Sequence, residues 1–218
     1  MIRKRTAIFI SGRGSNMRSL VEAAKAPDYP AEIALVFSNR PEAEGLAFAK
    51  SQGIATAAVD HKIYAGRDEF EKSVQVLLDL HRIELICLAG FMRLLTPNFV
   101  RAWEHRLINI HPALLPAYRG LHTHERALAD GVKIHGCTVH FVVPEMDQGP
   151  IIAQAAVAVL DDDTPDTLAA RVLKQEHLIY KAALACVASG KLQISGNRTR
   201  GKASARDFPP LRVPKVDE

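Results

Sequence analysis

Cysteine is scarce in this chain, with three among 218 residues. Cys87, Cys137 and Cys186 are widely spaced and sit among apolar neighbours. An odd number without a Cys-x-x-Cys pair speaks against a disulfide framework and against a cysteine-held metal, and leaves reduced core thiols. Long apolar runs are missing too: none approaches the roughly 20 residues that a membrane-spanning helix needs, so a soluble protein without membrane contact is expected. The start, Met1 to Arg5, is basic, but the apolar stretch behind it, Ala7 to Ile10, is too short for a signal-peptide core, which points to a cytoplasmic location. Aromatic residues make up only 6% of the chain. The formal charge of +4 lies mostly in residues 194–218, where six basic side chains outnumber three acidic ones and leave the body at +1. No stacking aromatics interleave with those charges, so a nucleic-acid partner is not expected.

Several catalytic signatures are also absent. There is no Gly-x-x-x-x-Gly-Lys-Ser/Thr loop, no Gly-x-Ser-x-Gly elbow and no His-Glu-x-x-His pair, which removes the P-loop nucleotidases, the serine hydrolases and a common class of zinc proteases. What is present is a strict alternation. Thr6–Ile10, Ile33–Phe37, Thr56–Val59, Leu85–Ala89 and Leu107–Ile110 read as strands, and the stretches near Asn16–Lys25, Glu42–Gln52, Arg67–Leu80 and Pro97–Trp103 read as helices. This pattern predicts an α/β fold with an open, mostly parallel, doubly wound sheet covered on both faces. After a Pro-, Gly- and His-rich loop (Pro112 to His124) and a short helix come two apolar runs, Cys137–Val143 and Ile151–Val159, which predict an antiparallel edge. A long helix from about Pro165 to Ser189 follows. Residues 1–193 are expected to form one catalytic domain and residues 194–218 a loose, basic tail containing Pro and Gly.

Ser11-Gly12-Arg13-Gly14-Ser15-Asn16 lies between the first strand and the first helix, where backbone N–H groups and the helix dipole favour an anion. Met17 occupies the place of the third small residue of a dinucleotide fingerprint, and the second strand ends in Ser38-Asn39 without an acidic residue to hold a ribose. A monophosphate cradle is the better reading; the bland alternative is a tight turn with Asn16 near an N-cap. On the fifth strand, alternation puts Leu107, Asn109 and His111 on one face, with Asn109 and His111 roughly 7 Å apart. His111 is the last residue before a proline, at the carboxyl end of a strand, where ligands of open parallel sheets gather. An amide donor beside an imidazole suits acyl transfer, since both can hold an oxyanion and the ring can move a proton. A lone strand-end histidine can equally be structural. His111, His122, His124, His135 and His140 raise a metal reading, but no carboxylate stands at familiar ligand spacing and no metal is expected. Asp147, in Glu145-Met146-Asp147-Gln148-Gly149-Pro150, reads by itself as a turn former; folded back near His111, its carboxylate would favour the protonated imidazole.

Ser11 to Asn16, Leu88-Ala89-Gly90-Phe91-Met92-Arg93, Asn109-Ile110-His111-Pro112 with Leu114-Leu115-Pro116, and Asp147-Gln148-Gly149-Pro150 resemble, in order and spacing, the folate-dependent formyltransferase family over roughly residues 5–192. Within it the chain is most similar to the members that formylate glycinamide ribonucleotide in purine biosynthesis. The resemblance implies a Rossmann-like formyltransferase fold, 10-formyltetrahydrofolate as co-substrate, small-molecule partners only, and a monomer or homodimer. It implies Asn109, His111 and Asp147 as the catalytic trio. Gly14, Ser15 and Asn16 would hold the ribonucleotide phosphate, and Glu176, in Gln175-Glu176-His177-Leu178-Ile179-Tyr180, its ribose. Arg67, Met92, Arg93, Leu94, Leu95, Val143 and Asp147 would receive the folate, with Val143 to Asp147 closing over the pterin. By composition alone Glu176 is a solvated helix residue, Arg67 a surface charge at a helix start, and Met92 to Leu95 core and loop. Ala113 and Arg13 depart from the family's usual serine and polar residue without touching the implied chemistry. A formyltetrahydrofolate hydrolase is the nearest rival, expected to carry an extra amino-terminal domain. A methionyl-tRNA formyltransferase is expected to carry a longer carboxyl-terminal one. A non-enzymatic phosphate-ligand module would need no convergence of Asn109, His111 and Asp147.

Overall fold

The structure, a computed structural model, describes residues 2–201, 211 and 213. Seven strands form one mixed sheet: β1 (Lys4–Ile10), β2 (Ala31–Ser38), β3 (Thr56–Ala58), β4 (Leu85–Leu88), β5 (Leu107–His111), β6 (Ile134–Phe141) and β7 (Ile151–Ala158), in the order β3-β2-β1-β4-β5-β6-β7. The first five pair in parallel. β6 runs antiparallel to β5, and β7 antiparallel to β6, as the edge expected from the sequence. Helices α1 (Ser15–Ala23), α2 (Glu44–Ser51), α3 (Arg67–Leu80), α4 (Pro97–Ala102), α5 (Thr123–Ala129) and α6 (Pro165–Ala188) connect or follow these strands, with a 3₁₀ turn at His61–Ile63.

Alternation along the strands builds two cores, one on each face of the sheet. Ile8 and Ile10 of β1 join Cys87, Ile108 and Ile110 beneath α1 and α6, where Met17, Leu20, Val172 and Tyr180 pack. Ala7 and Phe9 turn the other way and join Ile86, Leu88 and Leu107 beneath α3 and α4, with Phe70, Val74, Leu78 and Trp103. The apolar stripe of α6 recurs every four residues, at Leu168, Val172, Glu176, Tyr180 and Leu184, all buried. Period four keeps these residues on one helix face, so Glu176 lies inside the molecule, not on the solvated face that its charge suggests.

Two features of the fold position the polar residues of the crevice. The chain leaves β1 towards β2 and later returns to the other side of β1 with β4, so the carboxyl ends of β1 and β4 flank the point where the strand order reverses and a crevice opens. The second is Tyr180, whose buried hydroxyl donates to Leu88 O at 2.9 Å with Ile108 O at 3.3 Å, holding α6 against the end of β4 and the start of β5. Past α6 the chain differs from expectation. The expected tail boundary at 193/194 falls inside a hairpin of β8 (Leu192–Ser195) and β9 (Arg198–Gly201), turned at Gly196 with φ 56°. Leu192 and Ile194 are half-buried and Thr199 donates to Ile151 O at 2.6 Å, so apolar alternation outweighs the Gly and Arg content here. Residues 202–210, 212 and 214–218 of the expected tail lie outside the described residues.

Candidate active site

The glycine loop closes β1 and opens α1 with Gly14 at φ 71° and ψ 41°, a left-handed conformation that costs an L side chain energy. A Cβ at Gly14 would also stand 2.8 Å from the Met17 methyl. No side chain caps α1 and no acidic residue lies in its first turn, so the Asn16 N-cap alternative does not hold. The first N–H groups of the helix are left for an anion. Asn16 instead points inward: its Nδ2 donates to Glu176 Oε2 at 2.6 Å, and its Oδ1 is buried without a protein partner. Burial pushes the Glu176 carboxyl above its ordinary range, against the opposing pull of the Asn16 hydrogen bond. The glycine loop and α6 therefore meet at two polar side chains that the sequence separates by 160 positions.

Asn109 and His111 share one face of β5, and the register with β6 sets His140 opposite Asn109 and Thr138 opposite His111. His140 Nδ1 lies 2.9 Å from Phe141 O, an acceptor, so that nitrogen carries the proton. Its Nε2 is then a lone pair, 3.2 Å from Asn109 Nδ2, which donates to it. Burial lowers the His140 pKa, overriding the opposing pulls of the Phe141 carbonyl and of Asp147, and keeps the ring neutral for this task. One Asn109 N–H is thus fixed on His140 and the other is free for a ligand.

His111 is 5% exposed, and its Nε2 donates to Tyr118 O at 2.9 Å. Only Nδ1 remains, and it faces Asp147 Oδ2 at 3.6 Å. Asp147 adopts φ 56° in the turn after β6, and its Oδ2 accepts from Gly120 N at 2.8 Å while its Oδ1 stands 3.8 Å from His140 Nε2. The turn thus folds back over β5. Asn109, His111 and Asp147 come together, and the 118–120 segment is bound to two of them. Thr138 fixes the chain just beyond His111 by accepting from Leu115 N at 3.0 Å and donating to Ala113 O at 2.6 Å. Of these side chains, Thr138 has no place in the sequence reading and His140 entered it only as a metal candidate; their signal was the alternation of β6, whose pairing register becomes visible only in the fold.

The residues implied for folate fall on two segments, the loop after β4 with the start of α3, and the turn after β6. Met92 and Leu94, on the loop after β4, are 60% and 62% exposed. Arg93 stacks on Phe70 of α3 with its guanidinium carbon 4.9 Å from the ring centroid, and its Nε is buried without a partner. Glu71 of α3 accepts from both the backbone N–H and the hydroxyl of Thr96, the N-cap of α4, so α3 and the 92–96 loop are tied together. Arg67 is the exposed first residue of α3, and Val143 is half-buried in the segment leading to Asp147. His122 and His124 part company. His122 is exposed and pairs with Glu125 at 3.4 Å, whereas His124 packs edge-on to the buried ring of His135 at 5.2 Å. Among the described residues no three His, Cys, Asp or Glu side chains gather as metal ligands would. Chemically, the site offers a free amide N–H, one free imidazole nitrogen and a carboxylate at the carboxyl end of β5, with the uncapped start of α1 two strands away at the carboxyl end of β1.

The formyl transferase family model matches residues 4–184. The chain is 42% identical over 190 residues to the phosphoribosylglycinamide formyltransferase of Escherichia coli, covering 87% of this chain and 90% of that one. It is 48% identical over 190 residues to the trifunctional purine biosynthetic protein adenosine-3 of Gallus gallus, covering 87% of this chain but 19% of that protein. The chain thus spans about a fifth of the trifunctional relative and most of the bacterial one. Among solved structures, glycinamide ribonucleotide transformylase 1 of Symbiobacterium toebii superposes with a TM-score of 0.89 at 41% identity, covering 91% of this chain and 94% of that one.

Proposed function

The chain belongs to the formyl transferase family, and from that premise we propose that it transfers the formyl group of 10-formyltetrahydrofolate to the amine of glycinamide ribonucleotide, giving formylglycinamide ribonucleotide for purine biosynthesis. The observation that carries this reading is the convergence of Asn109, His111 and Asp147, from a strand and a distant turn, beside a helix N-terminus suited to a phosphate. Gly14, Ser15 and Asn16 hold the phosphate and Glu176 the ribose. Arg67, Met92 to Leu95, Val143 and Asp147 hold the folate, its pterin beneath the 143–147 turn.

The amine lone pair attacks the formyl carbon, a C–N bond forms, and the carbonyl electrons move onto oxygen. The free N–H of Asn109 and Nδ1–H of a protonated His111 hold that oxyanion, and the Asp147 carboxylate pairs with the imidazolium. Collapse breaks the bond to folate N10, which receives the proton that the amine loses, relayed through Asp147 and water. The acceptor supplies the nucleophile, so no covalent acyl-enzyme is required. The α1 cradle favours a phosphorylated acceptor over water, which needs no such site, and so favours this reading over a folate hydrolase. The protein works in the cytoplasm on small molecules, as a monomer or homodimer. Removing one oxyanion donor costs about 10²–10³ in turnover in such sites. Asn109→Ala and His111→Ala are each expected to show that loss with the fold intact; near-full activity in both would refute the assignment.

A further inference from the structure

Ser11 closes β1 just before the glycine loop and is 5% exposed. Regular pairing between β1 and β4 ends beside it: Ala89 N donates to Phe9 O at 2.9 Å and Ser11 N to Gly90 O at 3.2 Å. Gly90 then turns the chain away at φ 74°. Beyond that turn the Met92 N–H has no strand to pair with, and Ser11 Oγ accepts it at 2.7 Å. A backbone N–H can only donate, so the hydroxyl proton must point elsewhere. It goes to Asn39 Oδ1, 2.6 Å away on a residue with no exposure at all. That choice in turn orients the Asn39 amide, placing its Nδ2 3.1 Å from His61 Nδ1. One hydroxyl, donating and accepting at once, thereby joins the carboxyl ends of β1, β2 and β4.

We propose that Ser11 is a positioning residue for the folate substrate, setting the backbone of the pterin-receiving 90–95 loop through Met92 N–H while its own main chain anchors the phosphate loop. The inference rests on the folate and ribonucleotide assignments of the proposed function. Without the hydroxyl, Met92 N–H and Asn39 Oδ1 both lose their partner and the 90–95 backbone is free to shift, whereas the phosphate cradle, built on Gly14 and the α1 terminus, keeps its geometry.

The test is steady-state kinetics of the full chain and its Ser11→Ala and Ser11→Thr variants. In Ser11→Ala the KM for 10-formyltetrahydrofolate is expected to rise about tenfold, equivalent to about 1.4 kcal/mol, with the KM for glycinamide ribonucleotide within twofold and kcat within threefold. Ser11→Thr, which retains the hydroxyl, recovers most of that loss. A folded Ser11→Ala with an unchanged folate KM, or one in which all three constants move together, overturns the proposal. If Ser11→Ala does not fold, Asn39→Ala reads the same relay and is expected to raise the folate KM a few-fold; no change there overturns it equally. Calorimetric binding of folic acid separates this inference from the reading beneath it. Tenfold weaker binding by Ser11→Ala in a protein that transfers no formyl group refutes the proposed function alone, whereas unchanged binding in an active protein refutes the role of Ser11 alone.

Discussion

Replacing His140 by leucine removes the acceptor that holds the Asn109 amide. The ring is 2% exposed and makes two hydrogen bonds, Nδ1 donating to Phe141 O at 2.9 Å and Nε2 accepting from Asn109 Nδ2 at 3.2 Å, and its Nε2 also stands 3.8 Å from Asp147 Oδ1. Leucine fills the space and makes neither. The stability cost is expected at about 1–3 kcal/mol, because the buried Phe141 carbonyl and the Asn109 amide lose partners. The catalytic cost comes from orientation. An oxyanion donor is worth about 2.7–4 kcal/mol only when it is held in place, and an amide free to rotate spends much of its time with oxygen, not N–H, towards the substrate. A fall in kcat of roughly ten- to a hundredfold is expected, with KM for both substrates little changed, because the loss arises where charge develops. His140→Gln, which can still accept from Asn109, should lie between wild type and leucine. A double-mutant cycle isolates the route: on an Asn109→Ala background, His140→Leu should cost nothing further in kcat. A folded His140→Leu with kcat within threefold of wild type, or equal losses on both backgrounds, would refute the idea that His140 acts through Asn109.

Burial, reinforced by the neighbouring His124, lowers the His135 pKa to about 4 from its ordinary 6.5, and burial lowers that of His124 as well. Between those values the unfolded chain binds a proton that the folded chain refuses, so stability is full above about pH 6.5 and is lost as pH falls towards 4. At about 1.4 kcal/mol per unit, His135 alone accounts for roughly 3 kcal/mol. Urea unfolding at pH 7, 6 and 5 should show this slope in the wild type and a flatter one in His135→Phe; parallel slopes would remove the cause. At the phosphate loop, Gly14→Ala combines left-handed strain with a Cβ 2.8 Å from the Met17 methyl. It is expected to raise the KM for glycinamide ribonucleotide about tenfold and leave that for the folate unchanged, a strain cost of about 1–2 kcal/mol expressed at the cradle. An unchanged ribonucleotide KM in folded Gly14→Ala would count against phosphate binding there.

Much of the fold was legible because parallel strands buried on both faces write themselves as short apolar runs, and amphipathic helices as a 3.6-residue rhythm. The expected helix Arg67–Leu80 coincides with α3, and the alternation of β5 correctly puts Asn109 and His111 on one face. What stayed hidden depended on register and on contacts between distant segments. By composition alone Asp147 reads as a turn former; the resemblance implied its place in the trio, and its contacts with His111 and Gly120 appear only in the fold. His140 required knowing that β6 pairs with β5 at Asn109, which a period of two cannot specify by itself. Glu176 was disguised by its charge, although the four-residue stripe from Leu168 to Leu184 runs through it. The β8–β9 hairpin was masked by composition, since Gly196 and the arginines around it resemble a tail more than a turn between strands.

Labelled formyl followed from 10-formyltetrahydrofolate, with glycinamide ribonucleotide, water and methionyl-tRNA as competing acceptors, identifies the acceptor. The label is expected on the glycinamide amine, with none on methionyl-tRNA, and the non-phosphorylated glycinamide riboside is expected to be a far poorer acceptor. Release of labelled formate at a rate indifferent to glycinamide ribonucleotide would contradict the proposed function and make the chain a hydrolase.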